Sequence, residues 1–281
     1  MNNTFVGVAG TIVSITQIVA AAIGSASSNQ EPELEDLIGV ASKYFISTFV
    51  VALVALITFN ILVRLSIYEH YTSRDQQQSY DFDGISSTVK FLYETFKKLQ
   101  TFAFAVFLTF VVTLSLFPSI TASIKSVAKP EDRQKFQLDY LFIPIHFLLF
   151  NVGDLIGRNL PGWDFFMITS QKKLTIFSFI RLAFVPIFLA CNVDVGNSAL
   201  RTFPFLIKND ILYFFFLFLF GVTNGYLGSA IMMAGPQQLP DNEKDIAGPT
   251  LGFALVTGLA VGSGFSFFAR AVICECNPFV N

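Results

Sequence analysis

Residues 150–160 read FNVGDLIGRNL, placing Asn151, Asp154 and Arg158 inside an apolar run long enough to cross a bilayer. On a helix, spacings of i, i+3 and i+7 put the three side chains on one face, and Asp154 and Arg158, four residues apart, can pair directly. An ionised carboxylate at mid-membrane costs about 2.5–3.5 kcal/mol on insertion scales, so such a residue faces a polar cavity or a partner. The stretch therefore predicts a membrane helix with a polar face. That face is either part of a solute pathway or a structural ion pair that locks helix packing.

The composition around it agrees. Of 281 residues, 53% are hydrophobic and 14% charged, and 34 are Phe, an aromatic load that a water-exposed surface could not hide. This is the composition of an all-α polytopic membrane helix bundle. The formal net charge of −2 leaves no basic stripe to neutralise phosphates, so nucleic acid is excluded as a partner. Cys191, Cys274 and Cys276 form neither a CxxC pair nor a zinc pattern with His70 and His146, so no disulfide, metal or cofactor is expected. No GxxxxGK[ST], HExxH or GxSxG motif supports nucleotide-driven pumping or catalysis, and the expected class is a non-enzyme.

About seven apolar stretches can each cover the roughly 30 Å hydrocarbon core, at 5–26, 44–65, 101–121, 139–160, 174–193, 211–233 and 247–271. The first is rich in Gly, Ala, Ser and Thr, as an interior helix requires, and its Gln17 is expected to face protein or cavity. Residues 66–100 are the longest polar segment, ending in STVKFLYETFKKL, an amphipathic helix expected to lie in the interface. Pro118 near the far end of the third stretch predicts a kink or a half-helix end. Arg181 sits about two turns into the fifth stretch, where it pairs with a neighbouring helix or snorkels. Gly221, Gly225 and Ser229 in the sixth stretch, and Ala254, Gly258, Gly262 and Ser266 in the seventh, are small-residue stripes for close helix contact. Asn224 and Tyr226 read as packing and interhelical hydrogen-bonding residues, and His146 as a structural residue rather than a proton relay. Lys and Arg divide almost evenly between the two sides, with a slight excess on the side of residues 66–100, which is expected to be cytoplasmic.

FNVGDLIGR, RLAFVPIFLACN, GVTNGYLGSAIMMAGPQQ and AGPTLGF...GSGFSFFARAV follow one another on successive spans, and together they resemble the C-terminal half of the equilibrative nucleoside transporter family. GVAGTIVSITQIVAAAIGS resembles that family's fifth helix. The resemblance implies a partial major-facilitator-like architecture, with residues 1–65 as the last two helices of the N-terminal bundle. Residues 66–100 would be a cytoplasmic linker and 101–281 a five-helix C-terminal bundle, the family's first four helices having no counterpart here. It also implies alternating access for nucleosides. Asp154 then contacts the ribose hydroxyls, Arg158 supports it, Asn151 bonds a hydroxyl or base edge, and Pro118 lines the cavity. Arg181 matches the family's arginine before FVP. Gly153 stands where members carry a bulky residue, which alters cavity shape. The expected partners are a nucleoside of unspecified base and the lipid bilayer, in the plasma membrane or an intracellular one. The competing expectation is a truncated, transport-incompetent fragment, or a half-transporter acting with another chain.

Overall fold

The computed structural model describes residues 11, 12, 14, 15, 18, 34–66, 68, 85–194 and 204–274. Gln17 and His70 lie outside them. The chain divides into two compact units, residues 16–93 and residues 1–15 with 94–281. In the first, helix α1 (Leu34–Val63) carries exposed apolar side chains from Phe45 to Val63, as the second apolar stretch predicts.

Helix α2 runs unbroken from Ile85 to Leu116. The sequence reading expects an interfacial helix before a separate span, but no Gly or Pro occurs between residues 85 and 116 and nothing interrupts the hydrogen-bond ladder. The second unit contains the rest. Helix α3 is Asp139–Asn159, α4 is Gln171–Ile180, α5 is Phe184–Leu189, α6 is Asp210–Ala234 and α7 is Lys244–Cys274. Four helical segments among the described residues, Val89–Ser123, Asp139–Gly162, Asp210–Gln238 and Lys244–Ile273, are long and apolar enough to cross a membrane. They coincide with the third, fourth, sixth and seventh stretches.

The fifth stretch is helical but broken. Pro186 has no N–H to give the carbonyl of Leu182 and its ring crowds that turn, so Arg181–Ala183 tighten into a 3-10 turn between α4 and α5. Helix α2 stops at Leu116 because the residue before a proline is pushed out of the α region, leaving Pro118 exposed in the following turn. Helix α6 begins at a side-chain cap, where Asn209 Oδ1 accepts from the amides of Ile211 at 2.8 Å and Leu212 at 3.1 Å. Buried Asp210 next to it accepts from Ser126 Oγ at 2.6 Å, Val127 N at 2.9 Å and Gln137 Nε2 at 2.7 Å, fastening the loop before α3 to the start of α6. Lys125 on the same loop is held above the usual lysine range, chiefly by its hydrogen bond to Asp194.

Helices α3 and α6 meet at their backbones. Gly153 and Gly157 face Phe218, Val222 and Tyr226, while Gly221 and Gly225 face Phe150, Asp154 and Arg158. A Cβ on any of the four would run into main-chain atoms of the other helix. The small-residue stripe of α6 is thus matched by a second stripe on α3, and Gly153 has a packing reason for lacking a side chain. Helix α7 repeats the contact against α2, where a Cβ would lie 2.6 Å from the Phe107 carbonyl at Gly258 and 2.7 Å from the Val111 carbonyl at Gly262. Without a hydrophobic drive between helices in lipid, such close approach is what holds them together.

A pair of glycine substitutions tests this packing. Gly225→Ala is expected to destabilise the detergent-solubilised chain by about 1–3 kcal/mol, as overpacking does. Gly252→Ala on α7, where a Cβ meets nothing within 4 Å, should leave the thermal midpoint unchanged or raise it. Equal midpoints for the two variants would remove the close contact from the account.

Candidate functional site

The backbone contact of α3 with α6 brings Asp154 against Asn224. Asn224 Nδ2 donates to Asp154 Oδ1 at 2.7 Å, and Arg158 Nε donates to Asp154 Oδ2 at 2.6 Å. Asp154 is 6% exposed, so its charge is desolvated and each of its oxygens is met by one protein donor. Arg158 keeps partial exposure, and both its Nη groups are without a protein partner among the described residues.

From Asn224 the polar contacts continue away from Asp154. Thr113 Oγ1 on α2 donates to Asn224 Oδ1 at 2.7 Å, and Arg181 Nη2 donates to Thr113 Oγ1 at 2.8 Å. Arg181 is the largest fully buried side chain, and no carboxylate lies within ion-pair distance of it among the described residues. Its Nη1 donates to the Phe220 carbonyl at 3.0 Å and to Thr223 Oγ1, and its Cζ lies 4.5 Å from the centroid of the Phe220 ring. Thr109 on α2 and Ser178 on α4 add a hydroxyl pair at 3.0 Å one turn away. Arg181 therefore does not snorkel. It pairs with neighbouring helices through neutral oxygens and an aromatic face.

This polar layer separates two apolar clusters. On one side lie Phe110, Leu174, Leu227 and Leu251, and on the other Leu116, Phe150, Phe184, Phe188 and Phe220. Within the layer the described side chains supply two guanidinium groups to one carboxylate, and the arrangement can do what acceptor-only and donor-only groups do: order polar groups of opposite kind.

The remaining expected site residues take other places. Asn151 shares a face with Asp154 by spacing, but both its Nδ2 protons are engaged elsewhere, on Ser14 Oγ at 2.8 Å and the Phe147 carbonyl at 2.9 Å. Pro118 is exposed in the turn after α2. Buried His146 has both ring nitrogens occupied, Nδ1 at 2.8 Å from the Ile143 carbonyl and Nε2 at 3.2 Å from Thr121 Oγ1, which makes Nδ1 the protonated one. Tyr226 donates to the Phe166 carbonyl at 2.7 Å. Sequence reasoning missed Thr113 and Thr223, since threonines in apolar helices commonly satisfy themselves on their own backbone. The available signal was Arg181 itself, a charge in a stretch without any acid, which needed oxygens from other helices.

A bundle of membrane-length helices with a desolvated carboxylate and two guanidinium groups in one interior layer is a multi-pass membrane protein with a polar layer in its interior. Its sequence carries the family pattern described as nucleoside transporter over residues 5–271, and the chain belongs to that family. It is 28% identical to Equilibrative nucleoside transporter 1 of Homo sapiens over 295 residues, covering 95% of this chain and 60% of that protein. With Equilibrative nucleoside transporter 2 of Homo sapiens it shares 34% over 183 residues, 65% of this chain and 38% of the relative. With Nucleoside transporter FUN26 of Saccharomyces cerevisiae it shares 35% over 176 residues, 61% and 33% respectively. The chain thus spans less than two thirds of the length of these relatives.

Removing one partner of the buried pair should be expensive. Asp154→Ala leaves Arg158 and Arg181 uncompensated and is expected to cost about 3–5 kcal/mol, whereas Asp154→Leu with Arg158→Met should recover most of the loss. Thermal unfolding in detergent reads both, and a double variant no more stable than the single one would contradict the pairing.

Proposed function

We propose that this chain takes part in the facilitated passage of nucleosides across a membrane by alternating access, with the Asp154–Arg158 pair in the ribose-binding region. The observation that carries the reading is the pair itself: Asp154, 6% exposed, held at 2.6 Å by an arginine whose Nη groups meet no partner among the described residues. A carboxylate oxygen with one protein donor retains acceptor capacity, and the two oxygens of one carboxylate match the two hydroxyls of a vicinal diol. Arg158 orients the acid and offers donors to a ribose oxygen or a base edge. Membership of the nucleoside transporter family supplies the class of solute. Asn151 and Pro118 belong to this reading as cavity-lining residues. Residues 1–65, 66–100 and 101–281 are proposed as the end of one bundle, a cytoplasmic linker and a five-helix bundle, in the plasma membrane.

A second reading is a half-transporter that works only with another chain. Radiolabelled adenosine and uridine uptake in a transporter-deficient cell separates the two. Uptake above vector is expected from the inserted chain, and Asp154→Ala should abolish it when uptake is normalised to the surface abundance of the variant. Unchanged uptake in that variant would overturn the assignment of Asp154. No uptake by the well-inserted chain alone would favour the second reading.

A further inference from the structure

The hydrogen bonds that lead from Arg181 to Asp154 have only one self-consistent direction. An ionised carboxylate is acceptor-only, so Asn224 must turn its NH2 toward Asp154 and its Oδ1 toward Thr113. Oδ1 then needs a donor, and the single hydroxyl proton of Thr113 supplies it. The Thr113 oxygen also lies 2.8 Å from the Thr109 carbonyl, but that carbonyl is already the helical acceptor for the Thr113 amide, whereas Oδ1 has no other donor among the described residues. With its proton committed, Thr113 Oγ1 is left as acceptor for Arg181 Nη2, a group that can only donate. Each group therefore donates toward Asp154, and the bond dipoles add.

We infer that Arg181 is a positioning residue for Asp154, acting through Thr113 and Asn224 to hold the Asn224 amide as a permanent donor and so to keep the Asp154 carboxylate oriented for substrate. The inference rests on the reading of Asp154 as the ribose-facing acid. It explains why a fully buried arginine without a carboxylate partner lies in this layer, and why Thr113 on α2 points at α6 although its own helix offers it an acceptor. Arg181 is no ligand contact in this scheme. Its Nη groups are taken by Thr113, Thr223 and the Phe220 carbonyl, the Phe220 ring lies against its Cζ, and its Nε is buried with no acceptor among the described residues. The charged groups facing Asp154 are Arg158 on its own helix and Arg181 through the chain of bonds. Helix α2 contributes only the neutral Thr113, and Tyr226, the titratable residue nearest to Asn224 along α6, is turned to the Phe166 carbonyl.

Tritiated adenosine binding to the purified full chain in detergent tests the inference with near-isosteric changes. Thr113→Ser keeps the hydroxyl and should bind as the wild type does. Thr113→Val removes it and should weaken binding about tenfold. Arg181→Met should weaken binding in the wild-type background and add little to Thr113→Val, because the two act along one path. In Asn224→Asp, two carboxyl groups face each other and share one proton. The protonated form reproduces the lost N–H donor, so binding should persist near pH 5 and fall about tenfold by pH 8, unlike the wild type. Equal affinities for Thr113→Ser and Thr113→Val, additive losses for Arg181 and Thr113, or parallel pH profiles for Asn224→Asp and the wild type would each overturn the positioning role.

Asp154→Asn distinguishes this failure from failure of the underlying reading. Unchanged adenosine binding in that variant removes Asp154 from the site, and the positioning role for substrate falls with it. Binding lost in Asp154→Asn but indifferent to Thr113 removes only the positioning role. Should the chain bind no adenosine, the thermal midpoint of Asn224→Asp still reads the link. It should drop with rising pH relative to the wild type, and a parallel profile would overturn the connection between Asn224 and Asp154.

Discussion

The close contact between α3 and α6 is the constraint on which the rest depends. Two glycines on each helix allow main chain to meet main chain, and only at that separation does the short side chain of Asn224 reach Asp154 at 2.7 Å. Side chains of ordinary size at these positions would hold helix axes at the usual 8–10 Å. The acid would then have been left with Arg158 alone, in surroundings that do not solvate it. Packing and electrostatics are here one problem, since the same residues that let the helices touch also bring the amide that satisfies the charge.

Around that contact the polar groups form a layer and not a scattered set. Thr109 and Thr113 on α2, Ser178 and Arg181 at the α4 break, and Thr223 and Asn224 on α6 lie between two apolar clusters. The break after α4 contributes directly. Pro186 tightens Arg181–Ala183 into a 3-10 turn, and Arg181 on that turn meets the carbonyl and ring of Phe220 as well as Thr113. Desolvating a guanidinium is costly, and donors that end on a carbonyl, two hydroxyls and an aromatic face offset it where no counter-ion is in contact.

Much of this was legible in the residues. Hydropathy located the membrane-length helices, and the i, i+4 spacing of Asp154 and Arg158 foretold their bond, because both are properties of one helix. The stripe of Gly221 and Gly225 was legible for the same reason. What was not legible depends on two helices at once. Gly153 reads as an irregularity in a familiar motif until α6 is laid against it, and Thr113 is one hydroxyl among many until Arg181 needs an oxygen. Asn151 keeps the face of Asp154 that its spacing predicts, but its partner Ser14, more than a hundred residues away in sequence, could not be read from one helix. The run from Ile85 to Leu116 was divided on grounds of polarity, and polarity alone does not end a helix that has no breaker.

The glycine contact also has a mechanical meaning. A slide of α3 along α6 by one helical turn, about 5.4 Å, would carry Phe150 toward the place of Gly153, a gap with room for no side chain. The glycines therefore key the two helices in register, and with them the acid, its arginine and its amide. Outside the keyed pair the helical ladder is interrupted twice, at the turn holding Pro118 and at the tightened turn ahead of Pro186.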